Sequence, residues 1–136
     1  MLAEAGWRLA DLDGIAFGAG PGAFTGVRIA CGVAQGLAFG ADLPVVPVPT
    51  LLALAQDAWR ERRATNVFAC LDARMREVYV AFYAREANDW RVVRAPAVEK
   101  PDDVVDSWRR RLAGRGRRLR GLSGAGQATR CHRRPR

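Results

Sequence analysis

The sequence predicts an α/β fold in which a mixed sheet packs against helices. Short apolar runs alternate with helical segments over the first sixty residues, which is the order of parallel strands connected by helices. Three apolar runs separated by polar breaks follow between residues 66 and 94, the pattern of an antiparallel meander. From about Gly114 no periodicity remains, and arginine and glycine dominate. We therefore expect an α/β domain over residues 1–113 and a disordered, Arg-rich tail over residues 114–136.

The first part of the domain is predicted to contain one short strand and one long helix. Residues 4–12 resemble the end of a helix, and the apolar run at residues 14–17 predicts a buried strand. A helix is then expected from residue 24 or 25 to about Phe39. Gly40 would follow its last turn, where a left-handed residue commonly ends a helix.

The next segment is predicted to add a strand and a second helix. Residues 43–48 (LPVVPV) predict a strand, and Pro44 and Pro47 restrict it to an edge or a strand end. Thr50 is a favourable N-cap for a helix over residues 51–63.

The second part of the domain is predicted to contain the meander and a closing helix. Strands are expected over residues 66–71 and 77–84 and again near residues 90–94. Pro101 followed by two acids is a typical helix start, so a helix is expected to run from there to about Leu112.

The net charge of +8 belongs to the last thirty residues alone. Residues 107–136 contain 11 arginines and no acid, whereas residues 1–106 contain 11 basic and 14 acidic residues. Such a block binds nucleic acid without sequence preference, so nonspecific RNA binding through the tail is one alternative function.

The composition also predicts where the protein resides. No apolar run of about 18 residues escapes interruption by glycine or charge, which predicts no membrane span. The N-terminus lacks the basic-then-apolar order of a signal peptide. Three cysteines without close pairing indicate a reducing cytoplasm.

The stretch from Gly18 to Gly40 contains seven glycines and a single charge, on Arg28. Within the predicted helix, Gly32, Gly36 and Gly40 recur every four residues and share one face. Each interior glycine costs about 1 kcal/mol relative to alanine, so a close approach of another backbone is expected to offset the cost. The helix is either a central core helix or a subunit interface, and the pattern alone leaves both open.

The same glycines allow three phosphate-binding interpretations. A P-loop is excluded because no lysine follows them, and Lys100 is the only lysine in the chain. Residues 18–23 match the letters of a dinucleotide fingerprint, but Pro21 removes a donor and Asp42 precedes the second strand. A general anion site at the start of the helix remains as the third alternative.

Two ordered motifs resemble the TsaB (YeaZ) family of bacterial tRNA threonylcarbamoyladenosine biosynthesis proteins. The first is GPGAFTGVR at residues 20–28, and the second is DARMREVY at residues 72–79. The similarity covers about residues 9–111. The signature loop residues are Gly20, Pro21, Gly22, Phe24, Thr25, Gly26 and Arg28. The second motif is represented by Asp72, Arg74, Glu77 and Tyr79.

This resemblance implies an actin/Hsp70-like ATPase (RNase H-like) fold, here partial. It also implies a non-catalytic scaffold that acts with a TsaD-like paralogue and a TsaE-like ATPase. Together they make N6-threonylcarbamoyladenosine at position 37 of tRNAs that read ANN codons. Self-association is a further implication, and contact with tRNA would be indirect. The expected interface residues are Val27, Ala30, Gly32, Val33, Gly36, Leu37 and Gly40.

The residue inventory agrees with a non-catalytic role, and no metal or cofactor is expected. The only histidine is His132, and Ser107 and Ser123 have no nearby base. Cys31 and Cys70 lie in apolar runs and are interpreted as buried. Asp72 and Glu77 are interpreted as part of a turn, where Asp72 caps the turn and Arg74 and Arg76 balance the charge. The alternative from another class is a glycoprotease-type metallopeptidase or a nucleotide hydrolase.

Two departures from the family pattern are expected to matter. The family opens with a strand, a D-T-[AS] loop and a hairpin that are missing here, so residues 14–17 lose a neighbour and nucleotide binding is doubtful. The basic tail replaces further strands and helices. A truncated or frame-shifted gene product is one hypothesis, and a genuine basic extension is the other.

Overall fold

The structure is a computed structural model that describes residue 2 and residues 4–105. The chain divides into two compact units, Met1–Ala53 and Leu54–Arg136. Several predictions lie outside the described residues: the end of the last helix, the tail, Ser107, Ser123 and His132.

The first unit is built on two parallel strands and one long helix. Strand β1 (Ile15–Gly18) pairs with β2 (Val45–Val48) in register from Ile15–Val45 to Gly18–Val48. Helix α1 (Phe24–Ala41) connects them. This is the strand–helix–strand order that the sequence predicted. Pro47 lies in a strand with a single hydrogen-bonded neighbour, so its edge placement is confirmed.

The N-terminal segment is not the end of an α-helix, and that prediction was wrong. Only Leu9–Asp11 form a short 3-10 helix. Asp11 accepts a hydrogen bond from the Arg8 backbone N–H at 2.8 Å and another from Arg8 Nη2 at 2.8 Å. These bonds hold the pKa of the exposed Asp11 carboxyl below its usual value. Two leucines give too little apolar surface to fix a longer helix against the sheet.

Helix α1 ends later than predicted. Gly40 lies inside the helix, and Asp42 takes the left-handed position with φ 52°. The Asp42 backbone N–H donates to the Ala38 carbonyl, and the Leu43 N–H donates to the same oxygen at 3.0 Å. An aspartate adopts this conformation more easily than most side chains, so it replaces the expected glycine.

Helix α2 (Thr50–Arg62) begins in the first unit and continues in the second. Thr50 is its first helical residue, and its backbone N–H donates to the Gly20 carbonyl at 2.8 Å. Leu51 and Ala55 are fully buried. The start of α2 is therefore tied directly to the loop that precedes α1.

The second unit contains the predicted antiparallel meander, in the order β3-β4-β5. These strands are β3 (Asn66–Arg74), β4 (Glu77–Glu86) and β5 (Asp89–Glu99). Strand β5 is longer than predicted because it continues through Pro96. Val80 pairs with Ala97 and Phe82 with Arg94, which leaves two residues opposite Ala81. A bulge of this kind accepts a proline within an edge strand.

The core of the second unit lies mainly on β4, the central strand, and on β3 beside it. Val80 and Ala81 are fully buried, and Val67, Ala69 and Tyr83 are nearly so. Residues 101–105 are helical, consistent with the start of the last predicted helix. The α/β class is confirmed, with the parallel and antiparallel strands in two separate sheets.

Candidate partner-binding surface

Helix α1 buries only a narrow stripe. Ala34 and Ala38 are its only buried residues, and both have small side chains that let the helix lie close to the strands of its unit. Val27, Ala30 and Ala41 are half-buried on the same side. A helix turns about 100° per residue, so these five positions define one inner face.

The opposite side of α1 carries the glycines. Gly32, Gly36 and Gly40 are exposed, and a methyl group added at any of them would meet no heavy atom within 4 Å. The glycines therefore do not accommodate a neighbour within the described part of the chain. The central core helix, one of the two alternatives left open by the pattern, is not what the described residues show.

Exposed apolar side chains flank the glycines. Ile29 is 61% exposed, Val33 56% and Phe39 92%. We call this surface the outer face of α1, and it carries no charge. It consists of Ile29, Gly32, Val33, Gly36, Phe39 and Gly40.

The structure sorts the predicted interface residues into two groups. Gly32, Val33, Gly36 and Gly40 lie on the outer face, and Leu37 is exposed at its margin. The inner face contains the other two, Val27 and Ala30.

Sequence reasoning did not select two residues of the outer face, Ile29 and Phe39. The spacing alone could have placed both residues beside the glycines. Ile29 lies three residues before Gly32, and Phe39 lies three residues after Gly36, so each is a neighbour of a glycine on the helix surface.

By length and composition, α1 is also long and apolar enough to cross a membrane. This differs from the expectation of no membrane span. A single such helix is weak evidence, because the core helices of soluble proteins and signal sequences meet the same criteria.

The signature loop shapes the start of both helices. Gly20 is buried with φ 88°, a conformation that favours glycine, and its carbonyl accepts the Thr50 N–H. The Arg28 guanidinium lies 3.9 Å from the centre of the Phe24 ring, an attractive cation–π contact. Phe24, Thr25, Gly26 and Gly22 are exposed, and Pro21 is half-buried.

The second motif forms the hairpin between β3 and β4. The Asp72 carboxylate accepts the Arg74 backbone N–H at 2.7 Å, so Asp72 caps the turn as predicted. Arg74 lies opposite Glu77 in the strand register, and Met75 and Arg76 form the turn. Tyr79 pairs with Leu71 further along the hairpin.

A polar and aromatic cluster connects α2 with β4 and β5 in the second unit. The Gln56 side-chain oxygen accepts hydrogen bonds from Arg85 Nη1 and Trp90 Nε1, both at 2.9 Å. The Arg85 guanidinium lies 4.4 Å from the Trp59 ring and 5.3 Å from the Trp90 ring. Tyr83 meets Trp90 edge-on, and burial raises the pKa of its hydroxyl. No local pattern in the sequence indicates this cluster, which holds the helix on the sheet.

The groups considered for catalysis do not converge. Among residues 4–105, no three His, Cys, Asp or Glu side chains lie close enough to hold a metal ion. Cys31 is exposed, so its interpretation as a buried residue was wrong, whereas Cys70 is half-buried. Cys31 lies on α1 beside an open groove, on neither the inner nor the outer face. That groove is lined by Phe17, Cys31, Gln35, Ala38, Phe39, Asp42, Leu43 and Val45.

The family model and two bacterial relatives that match this chain belong to proteins of tRNA threonylcarbamoyladenosine biosynthesis. A family described as "TsaD: tRNA N6-adenosine threonylcarbamoyltransferase" matches residues 1–129. The tRNA threonylcarbamoyladenosine biosynthesis protein TsaB of Escherichia coli is 51% identical over 105 residues, which is 76% of this chain and 46% of that protein. Its Haemophilus influenzae counterpart is 46% identical over 114 residues, covering 78% of this chain and 48% of that protein.

A solved structure supports the same assignment. YeaZ from Pseudomonas aeruginosa superposes with a TM-score of 0.70 at 53% identity, covering 74% of this chain and 47% of that one. The chain spans about half the length of the relatives it matches. With both motifs in place on the α/β scaffold, the chain belongs to the TsaD-type family and, within it, to the TsaB (YeaZ) proteins.

Proposed function

We propose that this chain is a non-catalytic, partner-binding subunit in the cytoplasmic biosynthesis of tRNA N6-threonylcarbamoyladenosine. Its partner is a TsaD-like paralogue, which binds the outer face of α1. The observation that carries the proposal is the open space at Gly32, Gly36 and Gly40, beside exposed Ile29, Val33 and Phe39. The names of the TsaB relatives support the pathway, and the open space along α1 supports the site.

The outer face has the chemistry of a helix-packing surface. Helices pack at about 8–10 Å when side chains separate them, and glycine allows a closer approach of the two backbones. The flanking Ile29, Val33 and Phe39 side chains then bury apolar area against the partner, at about 25 cal/mol per Å². Fully burying three such side chains is worth several kcal/mol before the cost of association.

The proposed role requires no catalytic group from this chain. The described residues contain no candidate metal cluster, and no histidine or lysine lines the groove beside the exposed Cys31. The subunit acts by binding the TsaD-like paralogue and favouring its active state. A TsaE-like ATPase and a second copy of the chain are further proposed partners.

Calorimetric titration with the TsaD-like paralogue tests the site. Gly36→Leu places a side chain in the middle of the outer face, and we expect at least about a fivefold loss of affinity. Gln35→Leu is the matched control, because Gln35 is exposed on α1 but lies off the outer face. Equal affinities for Gly36→Leu and Gln35→Leu would show that this face does not bind the paralogue.

A further inference from the structure

The hairpin between β3 and β4 ends in an unfavourable backbone conformation. Arg74, Met75 and Arg76 have φ values of 65°, 49° and 63°, three successive non-glycine residues in the left-handed region. That region crowds Cβ against the following carbonyl oxygen, and two-residue hairpin turns of this type favour Asn-Gly. Three long side chains therefore occupy positions where small residues would be more stable. We call Arg74, Met75 and Arg76 the hairpin tip.

The side chains of the hairpin tip project into solvent. Met75 is 93% exposed, and both arginines are exposed. Within the part of the chain that the structure describes, no carboxylate lies within 4.0 Å of either guanidinium, whereas Arg8, Arg91 and Arg94 each pair with an acid. The Asp72 carboxylate holds the Arg74 backbone and keeps the tip in this conformation.

We infer that the hairpin tip contacts the phosphate backbone of the tRNA substrate. Guanidinium groups bind phosphates through paired hydrogen bonds, and a thioether packs favourably on an aromatic face such as a nucleobase. Two free guanidiniums on either side of an exposed thioether match two phosphates and the base between them. Backbone strain of this kind is retained where the side chains are used.

One other feature of the chain agrees with an anionic partner of this kind. Residues 107–136 contain 11 arginines and no acid, which attracts a polyanion to the same chain. This inference rests on the proposed role in tRNA modification and assigns a direct RNA contact to this subunit.

Site-specific photocrosslinking tests the contact in the full chain. Met75→p-benzoylphenylalanine places the crosslinker at the tip, and Asn88→p-benzoylphenylalanine is the matched control in the β4–β5 turn at the opposite end of β4. With an unmodified tRNA transcript, we expect at least fivefold more tRNA crosslinked at position 75. Equal yields at the two positions would overturn the inference. Crosslinking at position 75 to the TsaD-like protein instead of tRNA would also overturn it, since the tip would then bind protein.

Binding of the same transcript at several salt concentrations gives a second measurement. Arg74→Gly/Arg76→Gly removes both charges and relieves the left-handed strain, so the variant is expected to fold. Arg60→Gln/Arg91→Gln removes two charges elsewhere, and both variants keep the tail. For Arg74→Gly/Arg76→Gly, we expect the slope of log K against log salt concentration to become smaller in magnitude by about 2. Each lost phosphate contact contributes about 0.9 to that slope. Equal slopes in the two variants would overturn the inference.

The two proposals fail separately. Arg74→Gly/Arg76→Gly leaves α1 intact, so its affinity for the TsaD-like paralogue is expected to equal that of the unaltered chain. Loss of pairing in Gly36→Leu with unchanged tRNA crosslinking at position 75 supports both assignments. Unchanged pairing in Gly36→Leu would refute the α1 interface and leave the hairpin contact standing on its own measurement.

Discussion

Substitution of Gly36 by leucine is expected to stabilise the free chain while weakening its complex. These opposite signs follow from the open space at Gly36, where an added Cβ meets no atom within 4 Å. In a helix interior, glycine is about 1 kcal/mol less favourable than alanine, and leucine is nearly as favourable as alanine. The free chain therefore gains about 0.5–1 kcal/mol from the substitution.

The complex responds in the opposite direction. A leucine between two closely packed backbones overpacks the contact, which typically costs about 1–3 kcal/mol. At 1.4 kcal/mol for each factor of ten, the expected loss of affinity is about 5-fold to 150-fold. Gly36→Ala adds a single methyl group, so its affinity should lie between those of the unaltered chain and Gly36→Leu. Its gain in the free energy of unfolding should be about that of Gly36→Leu.

Urea denaturation followed by circular dichroism measures the first quantity, and calorimetric titration measures the second. The reasoning is refuted if Gly36→Leu lowers the urea midpoint, because Gly36 would then be packed within its own chain. It is refuted equally if the midpoint rises and the affinity does not change, because the outer face would then have no partner at this position. Gln35→Leu controls for the addition of an apolar side chain to α1.

Three further predictions concern the second unit. Gln56→Ala leaves the Arg85 and Trp90 donors without their shared acceptor and should lower the free energy of unfolding by about 2 kcal/mol; an unchanged urea midpoint would contradict this. Burial raises the pKa of Tyr83 above its usual value of 10.0, so the folded state keeps the proton longer than the unfolded state. The contribution of Tyr83 to the free energy of unfolding should therefore be constant below pH 10 and fall as the pH rises above it. In urea titrations above pH 10, Tyr83→Phe should lose less of its free energy of unfolding than the unaltered chain. An identical loss in the two proteins would show that Tyr83 does not cause it. Arg76→Gly removes one strained residue from the hairpin tip and should raise the free energy of unfolding by about 0.5–1 kcal/mol, and a lower melting temperature would count against it.

Much of the architecture could be predicted from local patterns. Strand β1 and the meander follow from apolar runs bounded by turn residues, and α1 from a long apolar segment after a glycine-rich turn. The errors lie where the backbone geometry overrides residue preference. Asp42 ends α1 in place of Gly40 because Asp42 takes the left-handed conformation, and the Leu43 N–H then donates to the Ala38 carbonyl. Strand β5 continues through Pro96 because a bulge removes the need for its missing N–H donor.

The candidate site was only partly predictable. The four-residue spacing of Gly32, Gly36 and Gly40 placed them on one face, as the structure has them, but spacing does not say which face the strands cover. That choice assigned Val27 and Ala30 to the inner face and exposed Ile29 and Phe39.

Residue identity and short-range spacing were enough to predict the family, most of the order of elements, and the shared face of Gly32, Gly36 and Gly40. The tertiary structure decided which side of α1 is open and which arginines lack an acidic neighbour. It also decided that the hairpin tip is left-handed. These properties depend on the distances between backbone segments that are brought together in the fold. A local sequence pattern does not specify those distances.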